Sequence, residues 1–310
     1  MLANKAAKRK RAAPPNQGGP GKKPKGSCAL CEKPACPRGV KCPDYAEFFK
    51  PEPPELDTAV EPGEVLGVID AEFSHMAAGA PVCLNELGLC ETAFRDGAWT
   101  GPLGNGAEFN MVAGPTEPLS HITAALSNEK GKKAISTLAV AVAASTHTAS
   151  DLLNGVITHT HERKVTHFVG HAALTADMSV TAQRADRSAI DFIGQLKANG
   201  VVGIIETYRL INTYKSHFKR LQGVTGKGMK NEELFKLASG GKDMKAMGMT
   251  PHRALDDAKA ERYWLTGLPE FEKLFFGPEK ALCSISLAAF SKYHKQYQKH
   301  RNYKMSLPNA

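Results

Sequence analysis

The sequence predicts an α/β body: a mixed β-sheet flanked by helices. Three observations lead there. Strand-like stretches crowd residues 63–112, and helix-period and strand-like stretches alternate after them. That order is the one a mixed sheet with covering helices produces. Val65-Leu66-Gly67-Val68-Ile69, Val165 to Gly170 and Val201-Val202-Gly203-Ile204-Ile205 are apolar on both faces, as strands covered on both sides are. The chain of 310 residues is long enough for one large domain with appendages. No run reaches the roughly 18 apolar residues of a membrane span. The longest, Ala134 to Ala144, is interrupted by Ser136 and Thr137.

The amino-terminal part differs from the body. Residues 1–42 hold eleven Lys or Arg against one acid, Glu32, a net +10. The whole chain carries 40 Lys or Arg against 31 Asp or Glu, so the remainder holds 29 against 30 and is close to neutral. The positive charge therefore belongs to the tail. Residues 1–26 have almost nothing to bury and are expected to be disordered. Lys8-Arg9-Lys10-Arg11 and Lys22-Lys23-Pro24-Lys25 fit a two-part nuclear import signal or a phosphate-binding arm. No apolar segment follows the basic run, so no signal peptide is expected.

Residues 27–45 contain Cys28, Cys31, Cys36 and Cys42, with gaps of two, four and five residues. Four thiolates so close can close a tetrahedral Zn2+ site, which would be the only core that so short a segment has. The spacing resembles the retroviral-type zinc knuckle, with Cys36 where that family places a histidine and a last gap one residue longer. The resemblance implies contact with single-stranded nucleic acid, and a protein partner stands as the alternative. Seven cysteines, four of them clustered, imply a reducing compartment, nuclear or cytoplasmic, with the basic tail favouring the nucleus. Residues 46–62, acidic and proline-rich, read as a semi-rigid spacer.

The main domain is expected over residues 63–277. After the strand ending in Asp70 and Glu72, strands are expected from Val82 to Phe94 and Ala107 to Val112, around a Gly-rich turn at Gly101 to Gly106. Helical spacing predicts helices over Lys132 to Leu153, Asp177 to Ala198, Asn231 to Leu237 and Pro251 to Leu265. Pro251 marks the start of the last of these, because a proline there loses no helix hydrogen bond. A basic helix from Pro278 to His300 and a tail make up residues 278–310.

Two stretches carry the chemistry. In Val68-Ile69-Asp70-Ala71-Glu72-Phe73 an apolar strand ends in two carboxylates one residue apart, so both point to one face. In Thr250-Pro251-His252-Arg253-Ala254-Leu255-Asp256-Asp257-Ala258, His252 stands at the mouth of a helix and Asp257 a little over one turn along. Paired carboxylates, a third acid and an imidazole together make a hard-cation site with a titratable base.

Asp-x-Glu at a strand end, then much later His, four residues and Asp, resembles the first and last motifs of the DEDDh 3′-to-5′ exonucleases. Polymerase proofreading subunits, ribonuclease T and oligoribonuclease belong to that family. Its middle motif, a strand and an Asp opening a helix, resembles Val165 to His171 followed by Asp177. Glu206-Thr207-Tyr208-Arg209-Leu210 is similar to a strand ending common in the family. The three motifs stand in the family's order across residues 64–266. The resemblance implies a ribonuclease H-like fold and hydrolysis of RNA or DNA from the 3′ end by a two-metal-ion mechanism. It implies two Mg2+ or Mn2+ ions, Asp70 bridging both, Glu72 and Asp257 completing the tighter site and Asp177 holding the second ion. Magnesium prefers such oxygen donors. His252 would take the proton of the attacking water, and Phe73 and Ser74 would contact the terminal nucleotide.

The chain departs from the pattern at His171-Ala172, where the family often has His-Asn, and in a longer gap to Asp177. Asp186 and Asp191 are alternatives for that ligand. Asp256 reads as a solvated helix residue. Gly223 to Gly228 lacks the Ser or Thr of a phosphate loop and reads as a basic loop, with Lys215, Lys219, Arg220, Lys227 and Lys230 as backbone contacts. His147, His159, His161 and His167 are scattered and predict no second metal site. Cys83, Cys90 and Cys283 read as core or half-buried thiols. The rival function is a non-catalytic nucleic-acid-binding or scaffold protein on an exonuclease-like fold; an endonuclease or integrase is a third.

Overall fold

A computed structural model describes residues 51–74, 83–101, 104, 108–114, 138–217, 230–278 and 280–306. The basic tail 1–26, the segment with Cys28, Cys31, Cys36 and Cys42, and Lys219, Arg220 and Lys227 of the basic loop lie outside the described residues.

The body is α/β, with a mixed sheet flanked by helices. Strand β1 (Val65–Ser74) runs antiparallel to β2 (Cys83–Arg95). Strand β2 pairs antiparallel with both β3 (Ala98–Thr100) and β4 (Glu108–Val112). Helix α1 (Ala149–Arg163) leads to β5 (Val165–Gly170), which lies parallel to β1. Helices α2 (Asp177–Arg187) and α3 (Phe192–Ala198) lead to β6 (Gly203–Glu206), parallel to β5. Next come α4 (Thr207–Tyr214), α5 (Asn231–Ala238), α6 (Ala254–Gly267) and α7 (Pro269–Phe276). Strand β7 (Ile285–Ser286) closes the edge antiparallel to β6 and runs into α8 (Leu287–Ser306). The order across the sheet is β3-β2-β1-β5-β6-β7, with β4 also on β2.

Side chains alternate across β1. Ile69 and Ala71 join the apolar cluster built with α1, α2, α3 and α8, whereas Leu66 and Val68 join the one built with α4 to α7. Phe271 and Leu265 are fully buried in the second cluster. Each such side chain contributes about 1.5–3 kcal/mol, Leu265 holding α6 and Phe271 α7 in that cluster. On the other face, fully buried Glu91 of β2 accepts from Arg163 Nε at 3.0 and 3.1 Å and lies 2.7 Å from His159, tying α1 down.

Several expected elements differ from those observed. The helix expected over 132–153 is interrupted before α1, because Thr148 caps α1 through a capping box with Asp151. The helix expected over 177–198 is two helices. Ala189 adopts φ +54° between them, and the Asp191 carboxylate caps α3 through the N–H of Gly194. Pro251 does not open α6, which starts three residues later at Ala254. The N–H groups of Thr250 and His252 donate instead to the carboxylates of Asp256 at 2.8 Å and Asp257 at 2.9 Å, which folds this segment into a turn. Asp256 is a helix residue as expected, half-buried in the first turn of α6, and its carboxylate in addition anchors the turn. The helix expected from Pro278 begins at Leu287, because Ile285 is taken into the sheet opposite Ile204. Helix α7, with Pro269 in its first turn, had no counterpart in the expectation. Neither had β3, although Asp96-Gly97, at φ +51° and +77°, is a strong two-residue hairpin signal. Part of the expected spacer is bound to the body: Thr58 bridges to Ser284, and Val60 is buried.

Candidate active site

The parallel strands β1, β5 and β6 end on the same edge, the edge where open α/β sheets place their ligands. Asp70 and Glu72 continue the Leu66–Val68 face of β1 and so point toward α6. Gly88 of β2, opposite Asp70, lets the first turn of α6 settle on the sheet: a Cβ there would stand 2.1 Å from the Leu255 backbone nitrogen. This close approach brings Asp257 and the turn with His252 to the acids of β1. One ligand atom each from Glu72, His252 and Asp257 lie within 4.8 Å of one another.

Asp177 arrives from the other side. Strand β5 ends at Gly170, a six-residue turn follows, and Asp177 is the first residue of α2. Its Oδ1 accepts the N–H of Ala71 at 3.1 Å, between Asp70 and Glu72. The two alternatives lie elsewhere: Asp186 faces His294 at 3.4 Å, and Asp191 caps α3. Phe73 alternates away from Glu72 and packs on the cluster of the opposite face, so the expected nucleotide contact has no support from its position. Ser74 ends β1 opposite Cys83.

The acids are crowded and poorly compensated. Burial pushes Asp70 well above the ordinary aspartate range, and Asp177, Asp257, Glu72 and Glu261 push it further. Asp177 is pushed up to about 7 by burial, with Glu72 and Glu206 adding to the shift. Burial and then Glu86 push Glu72 up to about 7, with Arg253 opposing. Asp257 rises to about 8 through burial and Glu72, opposed by the His252 N–H. Carboxylates held this way favour a bound cation, which restores their charged form. The carboxylate oxygens are hard donors of the kind that Mg2+ or Mn2+ takes, whereas the His252 imidazole is a softer donor and is not needed as a ligand for either ion.

Two further acids belong to the cluster: Glu206, read from the sequence only as part of a strand ending, and Glu261, which was missed. Glu261 is fully buried and raised to about 8, chiefly by burial. It accepts Thr207 Oγ1 at 2.8 Å and the His171 N–H at 3.1 Å. Glu206 ends β6 and accepts the N–H of Ala172 at 2.9 Å. Glu261 follows Asp257 by one turn of α6, and that spacing was the available signal. A Ser179–His294–Asp186 chain, at 3.3 and 3.4 Å, has its hydroxyl buried and its acid exposed, the reverse of an accessible nucleophile. A scan against protein-family models gives no match, and no curated protein matches the chain. No helix among the described residues is long and apolar enough to cross a membrane.

Proposed function

We propose that the protein is a metal-dependent 3′-to-5′ exonuclease of DEDDh type on a ribonuclease H-like sheet, acting on RNA or DNA. The supporting observation is that Asp70, Glu72, Asp177 and Asp257, far apart in the chain, meet at the strand ends with His252 beside Glu72 and Asp257. The strand order supports the fold reading, with antiparallel strands first and then parallel strands, each reached through helices.

In this reading Asp70, Glu72, Asp177 and Asp257 would hold a pair of divalent cations. Such a pair supplies charge relief on the phosphate and an acidified water. The His252 imidazole accepts the water's proton, and its exposure gives it access to solvent and substrate. Asp177 is held in line by the Ala71 N–H, and Asp257 by the His252 N–H. The near-neutral body attracts a polyanion weakly, so the basic residues 1–26 and a Zn2+-holding Cys28, Cys31, Cys36 and Cys42 segment serve as a salt-sensitive arm for nucleic acid.

The test is a time course on 3′- and 5′-labelled RNA and DNA with Mg2+ or Mn2+. The reading expects mononucleotides from the 3′ label at once, a shortening ladder from the 5′ label, and no cleavage by Asp70→Ala. Binding without cleavage would establish the scaffold reading instead, and internal cuts an endonuclease.

A further inference from the structure

Strand β2 and the start of α6 meet at Glu86. This glutamate is fully buried and stands directly opposite Glu72 in the β1–β2 register. Like charges so placed repel each other. The answer to that repulsion comes from α6. Arg253 donates from Nε to both Glu86 carboxylate oxygens at 3.1 and 3.0 Å, and from Nη2 to Oε1 at 2.9 Å. The N–H of Ala254 donates to Oε2 at 3.2 Å. Between this anchor and Pro251 sits His252, at φ +62°, a left-handed backbone that a non-glycine residue holds only when its surroundings impose it. Its N–H is held by Asp257 at 2.9 Å, so the turn is bound both to α6 and to β2.

We propose that Glu86 and Arg253 are positioning residues for His252. Their forked bridge fixes the turn so that the imidazole stays beside Glu72 and Asp257. The inference rests on the exonuclease reading, in which His252 takes a proton. The bridge also gives Glu86 a partner other than a cation, so this acid stays out of the cation site although it neighbours Glu72. The fork requires arginine: lysine brings the same charge as a single point and cannot hold two oxygens in one plane.

The test compares Arg253→Lys and Glu86→Gln with the full-length wild type. Amide exchange at His252 and Ala254, measured without divalent cations, reports on the turn alone. Both variants are expected to speed that exchange at least about tenfold, the signature of a turn that opens more often. At saturating oligonucleotide, kcat should fall about 10- to 100-fold, as a misplacement near 1 Å costs, while the Mn2+ affinity of Arg253→Lys, which keeps the charge, changes by less than about threefold. In a His252→Ala background Arg253→Lys should cost nothing more, because a residue acting through His252 has nothing left to position. Glu86→Gln keeps an acceptor for the guanidinium and the Ala254 N–H, and so remains informative if Arg253→Lys fails to fold. Wild-type exchange rates in both variants, or losses that multiply in the His252→Ala background, would overturn the proposal. A wild type that cleaves no oligonucleotide sinks the exonuclease reading, and the exchange rates then show separately whether the bridge fixes the turn.

Discussion

Gly88 faces Asp70 across the β1–β2 ladder, and its missing side chain is the space into which the backbone of Leu255 fits. The acid of β1 and the helix bearing Asp257 are adjacent because one residue of the neighbouring strand has no Cβ. A Cβ at position 88 would also lie 2.3 Å from the Ala254 carbonyl carbon, and backbone cannot rotate aside as a side-chain end can. Gly88→Ala is therefore expected to destabilise the fold by about 1–3 kcal/mol through overpacking. It should weaken Mn2+ binding as well, since α6 must lift. Gly101→Ala, where a Cβ meets nothing within 4 Å, is the control. Urea melts of both should show a change within about 0.5 kcal/mol for the control.

Asp177, rather than Asp186 or Asp191, faces Asp70, so the three aspartates should separate cleanly in assay. Asp177→Asn should lower Mn2+ affinity and cleavage by at least about 100-fold, the upper end of what even indirect ligand contacts cost. Asp186→Asn and Asp191→Asn should leave both nearly unchanged, and asparagine at 191 still caps α3. Isothermal titration and the oligonucleotide time course read the two effects.

Ala172, in the turn before Asp177, has φ +87°, which alanine adopts only under strain. Such strain costs about 1–3 kcal/mol, while glycine's extra freedom in the unfolded chain costs about 0.5–1 kcal/mol. Ala172→Gly should accordingly stabilise the protein by about 1 kcal/mol, seen as a higher urea midpoint.

The raised acids set a pH dependence for the cation-free protein. Asp177 and Glu72 at about 7, and Asp257 and Glu261 at about 8, keep protons in the folded state that the unfolded chain releases near its ordinary values of 3.8 and 4.5. The folded state binds more protons, so stability is full at low pH and falls as pH rises toward 8. His167 works the other way: burial lowers it to about 4 from 6.5, so its contribution is lost as pH falls through that window. Above pH 6.5 the acids alone decide. Melting temperature should drop between about pH 6.5 and 8, and Mg2+ or Mn2+ at pH 8 should restore it.

The α/β order and the strands at Val65 and Val165 were legible because apolar runs of that length have few other uses. Asp70, Glu72, Asp177, His252 and Asp257 were legible as a pattern of residue types. Their supports were not. Glu86 and Glu261 read as ordinary charged residues until the register and α6 bury them, and Glu206 showed only as a strand end. The role of Gly88 depends on a helix more than 160 residues later in the chain. Pro251 suggested a helix start, but local proline preference lost to the carboxylates of Asp256 and Asp257, which capture the preceding N–H groups.

The most direct measurement is a Mn2+ titration followed by electron paramagnetic resonance, on protein with its thiols saturated with Zn2+. The account predicts that the wild type takes up a pair of Mn2+ ions per chain and that Asp70→Asn loses that uptake. Wild-type protein that binds no Mn2+, or Asp70→Asn that binds it undiminished, would contradict the claim that these acids form one cation site.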